Sequence, residues 1–259
     1  MLVGDVSTCP SRVNARGLTV RALVGRKETV AEIPHAQVVE QPAHIVQRPH
    51  YHEIDQYQVV TVGSGRIGNV KVEPGSFHYT DRATTYGPIV SDPDGIHYVV
   101  LRPRGDVGVD VEAQYMPEAR RLRSRRPGRH RFGSSESVMT GRVQNVWHEG
   151  LDNGDGAVVE AIHLAAGMAM PEPVRRGDCG PGYLVALRGL LFLRGTELVA
   201  PSVLWLEETD AWPEVLTRDG AAVAAWFSFS RAHRAHVPSA GTLTPGRQPS
   251  SVAKLSREV

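Results

Sequence analysis

The chain has 259 residues, a formal net charge of +1 and a hydrophobic fraction of 41%. That composition suits a soluble globular protein, long enough for one large or two ordinary domains, with no overall pull toward nucleic acid or membrane. Two cysteines far apart, Cys9 and Cys179, make no disulfide framework. The longest apolar segment, residues 183–199, is broken by Arg188, Gly189, Arg194 and Glu197, so neither a signal peptide nor a membrane span is expected and a reducing cytoplasm is.

Residues 1–35 mix Val, Arg and Gly with short apolar runs and predict an edge strand or an arm. From His35 to Arg102, short β-rich runs (Val38-Val39, Gln58 to Val62, Ile67 to Val72, Ile89-Val90, Tyr98 to Leu101) alternate with turns at Gly63-Ser64-Gly65, Glu73-Pro74-Gly75 and Asp92-Pro93-Asp94-Gly95. Short strands closely spaced by turn chemistry, without a 3.6-residue period, predict a β-sandwich or barrel. Residues 116–131 carry Arg120, Arg121, Arg123, Arg125, Arg126, Arg129 and Arg131 and read as a connector; without interleaved aromatics they do not predict a nucleic-acid surface. Strand-like runs resume from Gly141 to Ser230, and residues 231–259 read as a tail.

Sliding one half on the other by 126 residues superposes Tyr57 on Tyr183, Gly63 on Gly189 and Ser76 on Ser202. Self-similarity at a fixed offset predicts an internal duplication. Within the first copy, His50 and His52 are one residue apart and share a strand face, Gln56 has the same parity, and His78 returns after a turn. Four such donors on one face are suited to a metal ion. In the second copy the same positions hold Arg176, Asp178, Gly182 and Leu204, so no ligand survives there. Glu53 and Asp55 have the opposite parity and should face away from the lumen, with a surface or supporting role. Tyr57 is outward and suits packing. His97 is a further candidate for the lumen, and Trp147-His148-Glu149 reads as interface or core.

His50-Tyr51-His52, Gln56 and Gly63, followed by Gly68, Pro74, Gly75 and His78, resemble the two short motifs of the cupin superfamily. The resemblance implies an all-β fold of two tandem jelly-roll barrels with an Arg-rich connector: residues 1–115 as a metal-bearing barrel, 116–140 as linker, 141–230 as a degenerate barrel and 231–259 as tail. It further implies one divalent metal ion held by His50, His52 and His78, with Gln56 where the family usually has glutamate. Fe(II) is favoured, with Zn(II), Ni(II) or Mn(II) as alternatives. Loss of that carboxylate leaves a neutral donor set, a stronger Lewis acid toward a chelating substrate.

Tyr86 and Arg82, in the segment after His78, are candidates to orient a substrate carboxylate beside Gln56. The activity expected is that of a metal-dependent dioxygenase acting on a small chelating substrate such as an aromatic acid or diketone. A non-redox cyclase, isomerase or lyase and a non-catalytic binding module are the alternatives. The expected partners are a small-molecule substrate and a second copy of the chain in a homodimer, with neither nucleic acid nor membrane.

Overall fold

The computed structural model describes residues 1–25, 33–52, 54–82, 84–105, 111–112, 130–141, 144–152 and 154–230. Glu53, most of the Arg-rich segment and the tail from residue 231 therefore lie outside the described residues. The first half contributes β1 (Leu2–Asp5), β2 (Ser11–Val13), β3 (Thr19–Val24), β4 (His35–Gln41), β5 (Val46–Gln47), β6 (His50–Tyr51), β7 (Gln56–Ile67), β8 (Val70–Val72), β9 (Ser76–Thr80), β10 (Ile89–Arg102) and β11 (Val111–Glu112). Then come β12 (His130–Ser134), a one-turn helix α1 (Glu136–Met139), β13 (His148–Asp152), β14 (Val158–Leu164), β15 (Gly182–Arg188), β16 (Leu190–Leu193), β17 (Thr196–Val199), β18 (Ser202–Leu206), β19 (Val215–Leu216) and β20 (Ala222–Ser228). The fold is all-β, two jelly-roll barrels in tandem.

Two large antiparallel sheets carry the architecture. One has nine strands, with β12-β9-β7-β10-β4-β3-β2 as its path; the other runs β1-β18-β15-β20-β14-β13. They pack face to face through one apolar layer that contains Tyr57, Val59 and Leu101 from the first sheet and Tyr183, Val185 and Phe227 from the second. The opposite faces of the same strands line two separate lumens, one around Val39, Val60 and Tyr98, the other around Leu164, Leu184 and Trp226. With both faces covered, strand parity selects between two interiors rather than between core and water. This is why Tyr57 points out of the first lumen yet is fully buried.

The duplication is visible strand by strand. His78 pairs with Gln58 as Leu204 pairs with Leu184, and Val100 pairs with Gln58 as Trp226 pairs with Leu184. Gly63 and Gly189 take positive φ angles of 70° and 83°. At Gly63 a Cβ would collide with the Gly95 carbonyl oxygen, and at Gly189 it would lie 2.6 Å from that of Ala221. Only glycine suits either place.

The strand pairings draw the two units differently from the sequence. β1 is an edge strand of the second sheet, paired with β18 from Leu2↔Trp205 to Asp5↔Ser202. β12, at residues expected to be linker, pairs with β9 and belongs to the first. Each sheet thus takes its edge from the chain beyond its own barrel, because hydrogen-bonding an open edge is favourable wherever a strand can reach it.

Candidate functional site

The first lumen is organised around a bridge between His50 and Tyr86. The His50 N–H donates to the Tyr86 carbonyl at 3.1 Å and the Tyr86 N–H to that of His50 at 3.0 Å. This brings the Tyr86 hydroxyl 2.8 Å from His50 Nε2. His52, one residue past the end of β6, presents its ring at 5.3 Å from that of His50, edge to face at 84°. Both imidazoles are buried, as is Tyr51 between them. Gln56 opens β7, fully buried, and its Nε2 donates to the Tyr86 hydroxyl at 2.7 Å.

Arg102, which the sequence reading passes over, ends β10 beside Gln56. The residue is 3% exposed, and its guanidinium donates to Gln56 Oε1 from Nε at 3.2 Å and from Nη2 at 3.1 Å. Nη2 is also 3.2 Å from both ring nitrogens of His52. Equal distances to two nitrogens that flank the same carbon place the guanidinium over the imidazole face. The β7–β10 register, with Leu101 opposite Tyr57, fixes this placement.

One set of directions satisfies these bonds. A guanidinium only donates and a carbonyl oxygen only accepts. Gln56 therefore turns its oxygen to Arg102 and its amide N–H to Tyr86, Tyr86 donates its proton to His50 Nε2, and His50 Nδ1–H donates to the Arg48 carbonyl at 2.8 Å. The chain holds His50 as one tautomer with a phenol aimed at its lone pair.

His78 is turned elsewhere. Its ring lies 5.2 Å from that of Tyr86, but its Nδ1 meets Gln58 Oε1 at 3.0 Å and its Nε2 meets His130 Nδ1 at 3.1 Å. Phe132, its cross-strand partner, stacks on it at 4.5 Å. Burial, assisted by the charge of His130, lowers the His78 pKa to about 3, so the ring is neutral at ordinary pH. Gln58 Oε1 requires a proton on Nδ1, which leaves Nε2 to accept from His130.

As placed, these residues do not fit a divalent ion. Among the described residues no group of three His, Cys, Asp or Glu side chains converges on one point. His78 has both nitrogens committed, and the Gln56 oxygen is held by a guanidinium that also covers His52. A unit charge and a divalent ion 4 Å apart repel by about 8 kcal/mol at an effective dielectric of about 20. The expected set of His50, His52, Gln56 and His78 is therefore brought into one lumen but not onto one centre.

Of the other candidates, Tyr86 stands at the centre of the site. Arg82 is exposed, and it is the backbone N–H that takes part, donating to Asp55 Oδ1 at 2.6 Å. Asp55 is turned from the lumen as expected but is buried, accepting from the Tyr79 hydroxyl at 2.7 Å. His97 is half-buried opposite Val62, and its neighbour Tyr98 faces the lumen. Trp147 is in the second core, its Nε1–H on the Pro171 carbonyl at 2.9 Å. A cleft of about 230 Å³ reaches His50 between Arg16, Ile45, Gln47 and Arg48.

The second lumen is filled. Arg176, in the register of His50, lies 5.7 Å from the Trp212 ring centre and 5.9 Å from that of Trp226. It donates to Glu172 Oε1 at 2.6 Å and to the Asp210 carbonyl. Gly182, in the register of Gln56, leaves room for Trp226, whose Cζ2 would be 2.6 Å from a Cβ there. Indole and guanidinium take the space that ligands would need.

Among solved structures, the chain is similar to oxalate decarboxylase from Bacillus subtilis, with a TM-score of 0.57, 11% identity and coverage of 88% of this chain and 76% of that one. The likeness is one of fold, two jelly-roll barrels in tandem. A presumptive dioxygenase from Nostoc punctiforme matches this chain with a TM-score of 0.60 and 14% identity, over 88% of this chain and 82% of the other. A further oxalate decarboxylase structure from B. subtilis, described for its Mn(II) centres, matches at a TM-score of 0.57 and 10% identity, covering 88% and 77%. No family model and no curated protein matches the sequence. Among the described residues no helix is long and apolar enough to cross a membrane.

Proposed function

We propose that this chain is a bicupin enzyme that binds a small organic anion in the first lumen and moves a proton on it without redox chemistry. The observation that carries the reading is the one-way hydrogen-bond chain from Arg102 through Gln56 and Tyr86 to His50 and the Arg48 carbonyl. Arg102 and His52 offer a charged, planar donor surface to a carboxylate or enolate. Tyr86 and His50 act as a pair: as the hydroxyl passes its proton across 2.8 Å to His50 Nε2, the phenolate oxygen, which keeps the Gln56 N–H as donor, takes the substrate proton, and the imidazolium has its Nδ1–H already on a carbonyl. Return of the proton from His50 Nε2 to the Tyr86 oxygen releases one to another atom of the same substrate. The reaction classes this supports are isomerisation, cyclisation and β-elimination next to a carbonyl. The cleft at His50 is smaller than the ~300–1,000 Å³ usual for drug-sized ligands, which favours a compact substrate.

The test is exchange of α-protons in D₂O, followed by proton NMR over a panel of keto, hydroxy and dicarboxylic acids. Exchange that Tyr86→Phe slows by about 10²-fold or more supports the reading; no exchange with any acid of the panel counts against it.

A second reading keeps metal-dependent oxygenation. It is favoured by the pairing of His50 and His52 at 5.3 Å and by the His50 Nδ1–carbonyl bond, an arrangement common behind metal-bound imidazoles. Oxygen uptake with added Fe(II) and a catechol, diketone or thiol would support it over proton transfer.

A further inference from the structure

We infer that Arg102 is the resident cation of the first lumen and that it bars a divalent ion from His50, His52 and His78. Every donor of the expected set is engaged in a way that works against coordination. Gln56 Oε1 accepts two guanidinium N–H bonds, His52 lies beneath Nη2, His78 has a partner on each nitrogen, and His50 Nε2 accepts the Tyr86 proton. Coordination at His52 would bring two like charges within a few ångström in a buried space, where repulsion is least screened.

Three further observations fit. A neutral residue at position 56 is what a resident guanidinium requires if the Gln56 amide is also to donate to Tyr86, since a carboxylate has no N–H to give. Arg102 is anchored from outside the lumen, its carbonyl accepting the Tyr183 hydroxyl at 2.9 Å. The second barrel brings in a guanidinium from a different position: Arg176 occupies the register of His50, held by Glu172 and two aromatic rings, whereas the register of Arg102 holds Ser228. Both lumens of this chain hold a guanidinium among the positions that the sequence pattern assigns to a metal.

The experiment is metal content and Co(II) binding of the full chain, read by elemental analysis and by the visible absorption of Co(II) on imidazole nitrogen. The wild type, purified without chelator, is expected to carry well below about one equivalent of any first-row metal. Arg102→Met, which keeps the length and removes the charge, is expected to bind Co(II) at least about a hundredfold more tightly than the wild type. Adding His50→Ala to that variant should abolish the gain. A wild-type protein with stoichiometric metal that is lost in His52→Ala overturns the inference, a result that needs no Arg102 variant to fold. A folded Arg102→Met, verified by circular dichroism, that gains no affinity overturns it as well. The readout is metal, not turnover, so failure of the proton-transfer reading leaves it unaffected.

Discussion

The hydroxyl of Tyr183 donates to the carbonyl of Arg102 across the interface between the two sheets, at 2.9 Å. Its counterpart in the duplication is the Tyr57 hydroxyl on the Ser228 carbonyl, also at 2.9 Å. Each barrel thus holds the end of the other's central strand by a tyrosine. The two bonds differ in what lies beyond them, because Arg102 reaches into the first lumen to Gln56 whereas Ser228 bonds to Val158 N–H and the Gly156 carbonyl. Tyr183→Phe and Tyr57→Phe should each destabilise the protein by about 1–3 kcal/mol in urea denaturation, the cost of a buried carbonyl without its donor. Only Tyr183→Phe should weaken anion binding in the first lumen, measured by calorimetry. Equal effects on binding would mean that the anchor does not position Arg102.

Gln56→Glu places a carboxylate where the cupin motif usually has one and should impair this protein. A carboxylate at 56 accepts from Arg102 and from the Tyr86 hydroxyl at once, which turns the phenol proton away from His50. Turnover should fall by about 10²-fold or more with little change in melting temperature. The loss of the hydrogen bond to His50 Nε2 is visible in nitrogen-15 shifts of the imidazole.

His78 makes the fold sensitive to acid. Its folded pKa of about 3 lies below the ordinary value of 6.5, with burial as the larger cause and the neighbouring His130 as the smaller. A depressed pKa contributes stability above pH 6.5 that is lost as pH falls from 6.5 toward 3, by up to about 1.4 kcal/mol per pH unit. Between pH 7.5 and 4.5 the wild type should lose about 3 kcal/mol more than His78→Asn in urea titrations. Parallel losses would show that His78 is protonated without cost.

In the second barrel, Gly182→Ala should cost about 1–3 kcal/mol, because the added methyl meets the Phe227 carbonyl and the Trp226 ring in a lumen with no space to yield. The change should show as a lower urea midpoint and a shift of tryptophan fluorescence, with the first lumen's anion affinity unaltered.

Much of this arrangement can be read from sequence where it depends on short-range rules. The one-residue spacing of His50 and His52, the parity of Gln56 and the positive-φ glycines at 63 and 189 all follow from strand period or turn sterics, and the offset between Gly63 and Gly189 already implies two copies. Arg102 escapes that reading because its facing depends on the β7–β10 register, which is a long-range property interrupted by irregularities between Ser91 and Ile96 and between His97 and Tyr98. The alternation Tyr98, Val100, Arg102 is the signal that would have found it, once Tyr98 is known to face inward. His130 is hidden differently: it lies between Arg129 and Arg131 in a segment that reads as linker, and nothing local announces that β12 will pair with β9. The same holds for β1, whose four residues look like an arm until β18 is there to receive them.

The exchange of edge strands also constrains how the chain comes to be folded. Leu2–Asp5 leaves the ribosome long before its partner, Ser202–Leu206, exists, and until then the finished first sheet presents Tyr57, Tyr79 and Leu101 to water on the side meant for the second. Contacts so distant in sequence form late and slowly. The two halves are therefore partners in synthesis as well as in space: a chain stopped in the connector has every residue of its candidate site up to Arg102, but not the hydroxyl that holds Arg102 in place.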